Sequence, residues 1–273
     1  MKQKVVISCF CFVFVVGYLF ASVSFARAGM VGNWTFDDKV NKGADTSGNG
    51  NHGTLIGPPA WVSGKKNMCL EFNGDGDLVT VPSLENKKFH SLSICAWINP
   101  SFTEYSGTIL SKTRSFEFSK NENGQLVFVL WLNNGTQWVK TTTQTIQFNQ
   151  WTCACVTYGS GSGGNGLCLY LNGQEVLSDS SQTSVPSVSN EPVRIGEDLD
   201  DYRSWDGKLD EVRLYDHVLT PEQVAAFCGC SCDDTDGDGV PDAWDQCPDT
   251  PAGKPTDAVG CAVPSGVVVI PLS

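Results

Sequence analysis

The sequence predicts an all-β chain: a two-sheet antiparallel sandwich with one short helix and a small loop module at its C-terminal end. Three observations predict it. Short apolar or alternating runs of strand length recur from residue 31 to residue 215, separated by Gly, Asn, Asp and Pro. Only one stretch carries the start and stop signals of a helix. After that stretch the composition turns abruptly acidic, glycine-rich and cysteine-rich.

The chain opens on MKQKVVISCFCFVFVVGYLFASVSFARAG. Lys2 and Lys4 precede a long apolar run, and Ala26-Arg27-Ala28 has the small-x-small form of a signal-peptidase site. Residues 1–28 are therefore expected to be a cleaved export signal, with an uncleaved anchor as the alternative. Alternation then predicts strands near 31–36, 53–57, 68–73, 77–81, 91–99, 107–111, 115–119, 125–132, 136–142, 151–158, 167–172, 192–196 and 208–215. Asn-Gly pairs at Asn73-Gly74, Asn123-Gly124, Asn134-Gly135 and Asn172-Gly173 mark tight hairpin turns. Residues 159–166, GSGSGGNG, form a flexible loop between two strands. Thr220-Pro221-Glu222-Gln223 supplies an N-cap, a proline at the first helical position and a glutamine at N3. The helix it starts is short and ends before Cys228-Gly229. These signals divide the chain into the signal at 1–28, a sandwich at 29–228, a small module at 229–263 and a tail at 264–273.

The small module contains DTDGDGVPDAWDQCP. Counting Asp234 as position 1, Asp236, Asp238, Asp242 and Asp245 stand at 3, 5, 9 and 12, and Gly239 at 6. This is the ligand spacing of an EF-hand calcium loop, with the carbonyl of Val240 as the position-7 ligand. Calcium wants six to eight oxygens, so a short loop must turn carboxylates inward at alternate residues. Neither flank is helical: Ser231-Cys232-Asp233 precedes the loop and Pro248 follows it. With Cys247-Pro248 closing it and the spacer 248–261 after it, the segment resembles a thrombospondin type 3 repeat of bacterial envelope proteins. Calcium is the expected cofactor.

The chain has 273 residues and a formal net charge of −12. More than half of its acids fall between Glu191 and Asp249, so the acidity is local, as metal-ligand loops make it. Nucleic acid is excluded as a partner, since phosphate binding needs a basic face. No apolar run after the signal approaches the length of a membrane span. Ten cysteines follow the signal, and an even count in an exported chain predicts disulfides. Connectivity is not readable. Cys247 with Cys261 is the first expectation and Cys232 with Cys247 the rival. Cys228, Cys230 and Cys232 are too closely spaced, and too poor in nearby histidine, to read as a zinc knot.

Seven segments occur in a fixed order: VGNWTFDD, DTSGNGNHGTLIG, CLEFNGDGDLVTVP, SLSICAWINP, QWTCACVTYG, LCLYLNGQEV and GKLDEVRLYDHVLTPEQ. Together they resemble a laminin G-like domain of the concanavalin A-like jelly-roll class, from about Val31 to Phe227. The resemblance implies two curved sheets and a ligand-binding role. It also implies a structural calcium site to which Asp45 and Asp210 contribute, with Asn49 and Asn51 adding carbonyl oxygens. Strand alternation places Asp210 on the face of Val212 and Leu214. The alternative is that Asp210 accepts backbone hydrogen bonds and the Asp45 loop is only a turn. Hydrolases of this shape carry paired carboxylates on one strand. No such run occurs: Asp210 and Glu211 are adjacent, Glu71 is single, and Glu197 to Asp201 reads as a solvated loop, with metal binding as the alternative. The chain is therefore expected to be non-catalytic.

Trp34, Trp97 and Trp151 fall within strands and are expected in the core. Trp61, Trp138, Tyr202 and Trp205 lie nearer loops and are the ligand-binding candidates, because sugar and protein sites use loop aromatics. The resulting expectation is an exported, secreted or cell-surface calcium-binding recognition module for an extracellular glycan or protein. A glycoside hydrolase of the same fold and a purely structural envelope stalk are the alternatives.

Overall fold

In the computed structural model, residues 29–102, 105–161, 164–199, 203–229, 247 and 250 are described. The predicted signal segment and the carboxylates of the predicted calcium loop lie outside them. Fifteen strands are seen: β1 (Met30–Trp34), β2 (Thr54–Ile56), β3 (Ala60–Ser63), β4 (Met68–Asn73), β5 (Leu78–Val81), β6 (Leu92–Pro100), β7 (Gly107–Lys112), β8 (Phe116–Lys120), β9 (Gln125–Trp131), β10 (Gln137–Thr145), β11 (Thr152–Gly159), β12 (Gly166–Leu171), β13 (Gln174–Asp179), β14 (Val193–Ile195) and β15 (Asp206–Tyr215). One helix, α1 (Pro221–Phe227), follows. Among the described residues no helix is long and apolar enough to cross a membrane.

The strands form two antiparallel sheets. The eight-stranded sheet runs β13-β12-β11-β6-β15-β4-β3, with β1 also paired to β15. The seven-stranded sheet runs β10-β9-β8-β7-β14-β5-β2. Their inner faces supply one core, in which Trp34, Phe72, Phe116, Phe118, Phe128 and Tyr158 are almost fully buried. Alternation explains the layering: on β8, Phe116 and Phe118 point inward while Glu117 and Ser119 take the outer face. Lys112 closes one end of the core. Its ammonium donates to the carbonyls of Leu84 at 3.0 Å and Glu85 at 2.7 Å, and to that of Glu191. Burial pulls its pKa down to about 8 despite those contacts.

Two strands escape the sequence reading. β3 is a short edge strand following Pro58-Pro59. β13 is the return arm of the Asn172-Gly173 turn, where both residues take positive φ as a two-residue hairpin turn requires. Its polar composition, QEVLSD, hides it. Asn123-Gly124 and Asn134-Gly135 join paired strands as expected. Asn73-Gly74 does not: β4 belongs to one sheet and β5 to the other, so this turn crosses the sandwich.

β15 carries a bulge between Asp210 and Arg213, with Glu211 at φ 50°. The bulge shifts the face alternation by one residue. Leu209, Val212 and Leu214 all reach the core, so Asp210 stands on the outer face, opposite Trp97, and not with Val212 and Leu214. Helix α1 is capped as its sequence predicts. Thr220 Oγ1 accepts from Gln223 N at 3.3 Å, and Gln223 Oε1 accepts from Thr220 N at 2.9 Å.

Candidate functional site: the outer face of the seven-stranded sheet

One row of cross-strand neighbours runs across the outer face of this sheet: Thr54, Thr80, Arg194, Ser111, Glu117, Val129 and Val139. An outer strand position is ordinarily wet, yet Glu117 has no exposed surface. The segment after β14 covers it. Gly196 N donates to Ile109 O at 3.2 Å, and Thr108 N donates to Arg203 O at 3.0 Å. These bonds lay residues 196–199 and 203–205 along β7.

The covering segment brings charge with it. Arg203 donates to Glu117 Oε2 at 2.5 Å, and Thr108 Oγ1 donates to Oε1 at 3.2 Å. Asp198 is fully buried and accepts from Thr113 Oγ1 at 3.4 Å, while Arg194 donates to that hydroxyl at 3.2 Å. Glu197 accepts from Ser204 Oγ at 2.8 Å through its carboxylate, and from Ser111 Oγ at 3.0 Å through its carbonyl. Burial drives the Glu117 carboxyl up to about 7 and the nearby Asp198 adds to this. The Arg203 charge opposes both without winning. Glu117 thus holds its proton until near neutrality.

Beside this network lies an open cleft of about 450 Å³, lined by Arg114, Trp131, Asn133, Ser187 and Val188 among others. Trp131 ends β9 on the outer face, packed with Val127 and Val129. Its amide donates to Ser115 O at 3.0 Å and its carbonyl accepts from Ser187 N at 2.8 Å, fixing both cleft walls. Arg114 sits exposed at the tip of the β7–β8 turn with φ 61°. Tryptophan, arginine, asparagine and serine lining one open cleft are residue types that suit a flat polyhydroxylated ligand.

The sequence-predicted residues fare unevenly. Trp205 is a core residue with no exposed surface, because Trp205 N donates to Gly196 O at 2.7 Å and turns the chain inward; it cannot bind a ligand from there. Trp61 is half-buried and donates its indole N–H to Phe36 O at 2.8 Å. Trp138 is half-buried against Tyr158, with Lys140 above its ring. Tyr202 lies outside the described residues. The structure gathers none of these into one cleft.

Asp45 and Asp210 also part company. Asp45 accepts from Asn33 N, Ser47 N, Ser47 Oγ and Asn51 N, all at 2.8–3.0 Å. Burial raises its pKa, but these donors outweigh burial and hold it below the usual carboxylate value. Each of its oxygens therefore accepts two of these bonds. Asn49 and Asn51 spend their amides on the carbonyls of Met30 at 2.7 Å and Val31 at 2.8 Å. The DTSGNGNHG loop is therefore a staple for β1. Asp210 differs: it is fully buried, its Oδ2 accepts from Lys66 N at 2.9 Å, and its Oδ1 has no partner. Burial lifts its pKa to about 6, with Glu211 and Asp37 adding to the lift.

Of the loop Asp234, Asp236, Asp238, Val240, Asp242 and Asp245, every residue lies outside the described ones, as does Cys261. Cys247 is disulfide-bonded, with a partner outside the described residues, as both Cys232 and Cys261 are. Two other disulfides went unread: Cys95–Cys155, with Cα atoms 4.2 Å apart, and Cys153–Cys228, at 5.5 Å.

Sequence reasoning missed Glu117, Asp198, Arg203, Arg114 and Trp131. A signal existed for Glu117: FEFSK places a carboxylate between two core phenylalanines. Asp198 belongs to a loop whose sequence suggests solvation, and the structure buries it. Nothing in the continuous apolar run LVFVLW marks Trp131 as outward-facing.

The fold and this face define a class: a two-sheet antiparallel sandwich with a polar, partly covered sheet face beside an open cleft. The chain belongs to the concanavalin A-like lectin/glucanases superfamily, whose profile matches residues 73–225. No curated protein sequence matches it. Among solved structures it is similar to domain 4 of AbnA, a GH43 extracellular arabinanase from Geobacillus stearothermophilus, in complex with arabinotriose. The identity is 23%, the TM-score 0.59, and the match covers 74% of this chain and 99% of that one. It is also similar to the binding domain of Paraclostridial Mosquitocidal Protein 1 (18% identity, TM-score 0.60, 73% of this chain and 52% of that one). The botulinum neurotoxin type G receptor-binding domain is a third (15%, TM-score 0.54, 74% and 51%). The chain spans about half of each toxin domain.

Proposed function

We propose that this chain is an exported recognition protein whose sandwich binds a glycan, without catalysis, in the cleft between Arg114, Trp131 and Ser187. The observation that carries the reading is the cleft itself, which Trp131 and Arg114 both line on a sheet face that also holds the Glu117–Arg203 pair. The arabinotriose complex of the arabinanase domain makes pentose oligosaccharides the first ligands to try. The disulfides suit an oxidising compartment outside the cytosol, and residues 1–28 would direct the chain there.

Calcium completes the proposal. The loop Asp234–Asp245 would hold one ion and brace the C-terminal end as a thrombospondin type 3-like repeat. Asp210, with one buried oxygen unpartnered, fits a second ion; Asp45, saturated by donors, does not.

Calorimetric titration of the mature protein with arabino-oligosaccharides and a panel of linear glycans tests the reading. Binding that weakens about tenfold in Trp131→Ala and Arg114→Ala supports it. No glycan bound, with an extracellular protein captured instead through the same residues, replaces the glycan with a protein ligand. No binder of either kind leaves the structural stalk. For calcium, melting temperature and metal content are compared with and without chelator. Calcium should raise the melting point, and Asp236→Ala with Asp238→Ala should lessen the rise.

A hydrolase reading retains one supporting observation: two buried carboxylates, Glu117 and Asp198, on one sheet face, the first protonated near pH 7. Hydrolysis of a polysaccharide that disappears in Glu117→Gln would install it.

A further inference from the structure

A second cleft, of about 240 Å³, lies at the end of the sandwich away from Trp131. Gln144, Gln147, Thr152 and Gln174 are among its lining residues, and none of those residues is charged. Strand register fixes its place. Thr145, which also lines it, pairs with Gln125 at the start of β9, whereas Trp131 ends that strand. The two clefts therefore stand about 20 Å apart. One wall is the end of β10 with the residues that follow it, carrying Gln144 and Gln147. The other is the β12–β13 turn, carrying Gln174. All three glutamines are exposed. Among the described residues their side-chain amides make no hydrogen bond.

An aromatic ledge continues the first wall. Phe148 follows Gln147 in the chain, and Phe102 stands edge-on to it with ring centres 5.3 Å apart. Phe102 is 72% exposed and Tyr105 77%, more than any other aromatic side chain among the described residues. The backbone beneath these rings is tied down. Asn149 N donates to Pro100 O at 2.7 Å, and Ser101 N donates to Asp206 O at 3.0 Å. The ammonium of Lys120, a residue with no exposed surface, donates to Tyr105 O at 2.7 Å. The chain thus holds Phe102 out in solvent on a fixed base, beside a row of uncommitted amides.

We propose that this cleft and its ledge are a second binding site, for a neutral sugar chain. A carboxamide both donates and accepts, as a sugar hydroxyl does, so Gln144, Gln147 and Gln174 can pair with a run of hydroxyls. The Phe102 ring offers an apolar surface to the C–H face of a pyranose or furanose. A uronate or a sulfated sugar would bring a charge for which the cleft lining holds no counter-charge. The inference goes beyond the reading of the Trp131 cleft and does not depend on it.

The test is calorimetric titration of the full mature chain carrying Arg114→Ala, which weakens the first cleft and leaves the second untouched. Xylohexaose, cellohexaose and laminarihexaose are the neutral probes, and hexagalacturonate is the charged control. The expected result is binding of at least one neutral hexasaccharide and not of hexagalacturonate. That binding should weaken about tenfold on adding Phe102→Ala, and again on adding Gln147→Ala with Gln174→Ala. These side chains are exposed, so circular dichroism should stay that of the parent. No neutral hexasaccharide bound, or binding that both sets of changes leave as it was, overturns the proposal. So does capture by phosphatidylcholine vesicles that Phe102→Ala abolishes, which would give the ledge to a membrane surface. Neutral sugar bound through Phe102 and Gln147, with Trp131→Ala and Arg114→Ala both without effect in the otherwise wild-type chain, upholds this site and removes the first.

Discussion

The two sheets turn outer faces of opposite character to the surroundings. That of the eight-stranded sheet is roofed by α1, lined with Met30, Tyr170, Tyr215 and Val224, and stitched by two disulfides. That of the seven-stranded sheet is roofed by an irregular segment and lined with Glu117, Asp198, Arg194 and Arg203. Each is buried in part, but by different means. An apolar roof is held by solvent exclusion and covalent ties; a polar roof must be held by partners for each buried charge. The first face is thereby committed to stability. The second keeps charge and an open cleft within reach of a ligand.

The contrast is broken most forcefully at the disulfide between Cys153 and Cys228. Their separation of 75 residues closes a large loop, so Cys153→Ser with Cys228→Ser should cost about 4 kcal/mol in denaturant unfolding of the oxidised protein. A loss under about 1 kcal/mol would mean that the apolar contacts of α1 hold the roof unaided.

On the polar face, Glu117→Ala removes the carboxylate that faces Arg203 and should cost about 3 kcal/mol. The more discriminating change is Glu117→Gln, read against pH. With its folded pKa raised from 4.5 to about 7, Glu117 binds more proton in the native than in the unfolded chain between those values. Its contribution is fully present below pH 4.5 and is lost as pH rises to 7. Native stability should therefore fall across that window. Asp210, raised from 3.8 to about 6, slopes the same way at lower pH, so the wild-type-minus-variant difference isolates Glu117. A difference that stays flat from pH 4.5 to 7 would deny that Glu117 is buried as an acid.

How far each face was legible follows from how it is built. Periodicity reported the core alternation of β6, β8 and β11, and the Thr220–Gln223 box reported α1, because both are local properties of the chain. The DTSGNGNHG loop was visible but not its job, since Asp45 serves four donors brought from two segments. The bulge at Glu211 shifted the alternation and moved Asp210 to the other face; no residue type announces it. Glu117 was hidden for a related reason: a carboxylate on an outer strand position reads as solvated unless the covering segment is known. That segment arrives from about 80 residues further along the chain, as the 86-residue separation of Glu117 and Arg203 records. The pairing of Cys95 with Cys155 needed the register of β6 against β11, which spacing does not supply.

The smallest expected effect sharpens the apolar half of the contrast. Thr220→Ala removes the acceptor that serves Gln223 N, and Gln223 then loses its reciprocal geometry with Thr220 N. The cost should be about 1 kcal/mol, as for other caps. A helix of seven residues has little stability of its own, so the loss should appear first as local opening of α1 and not as global unfolding. Hydrogen exchange at Val224 and Ala225 should quicken, and reduction of Cys153–Cys228 by a dithiol should speed up severalfold, while the glycan binding proposed for the Trp131 cleft stays as in the wild type. If reduction is no faster although exchange at α1 is, access to the disulfide is governed by the strands and not by the helical roof. If binding weakens as well, the two faces are coupled through the core, and the division of labour between them fails.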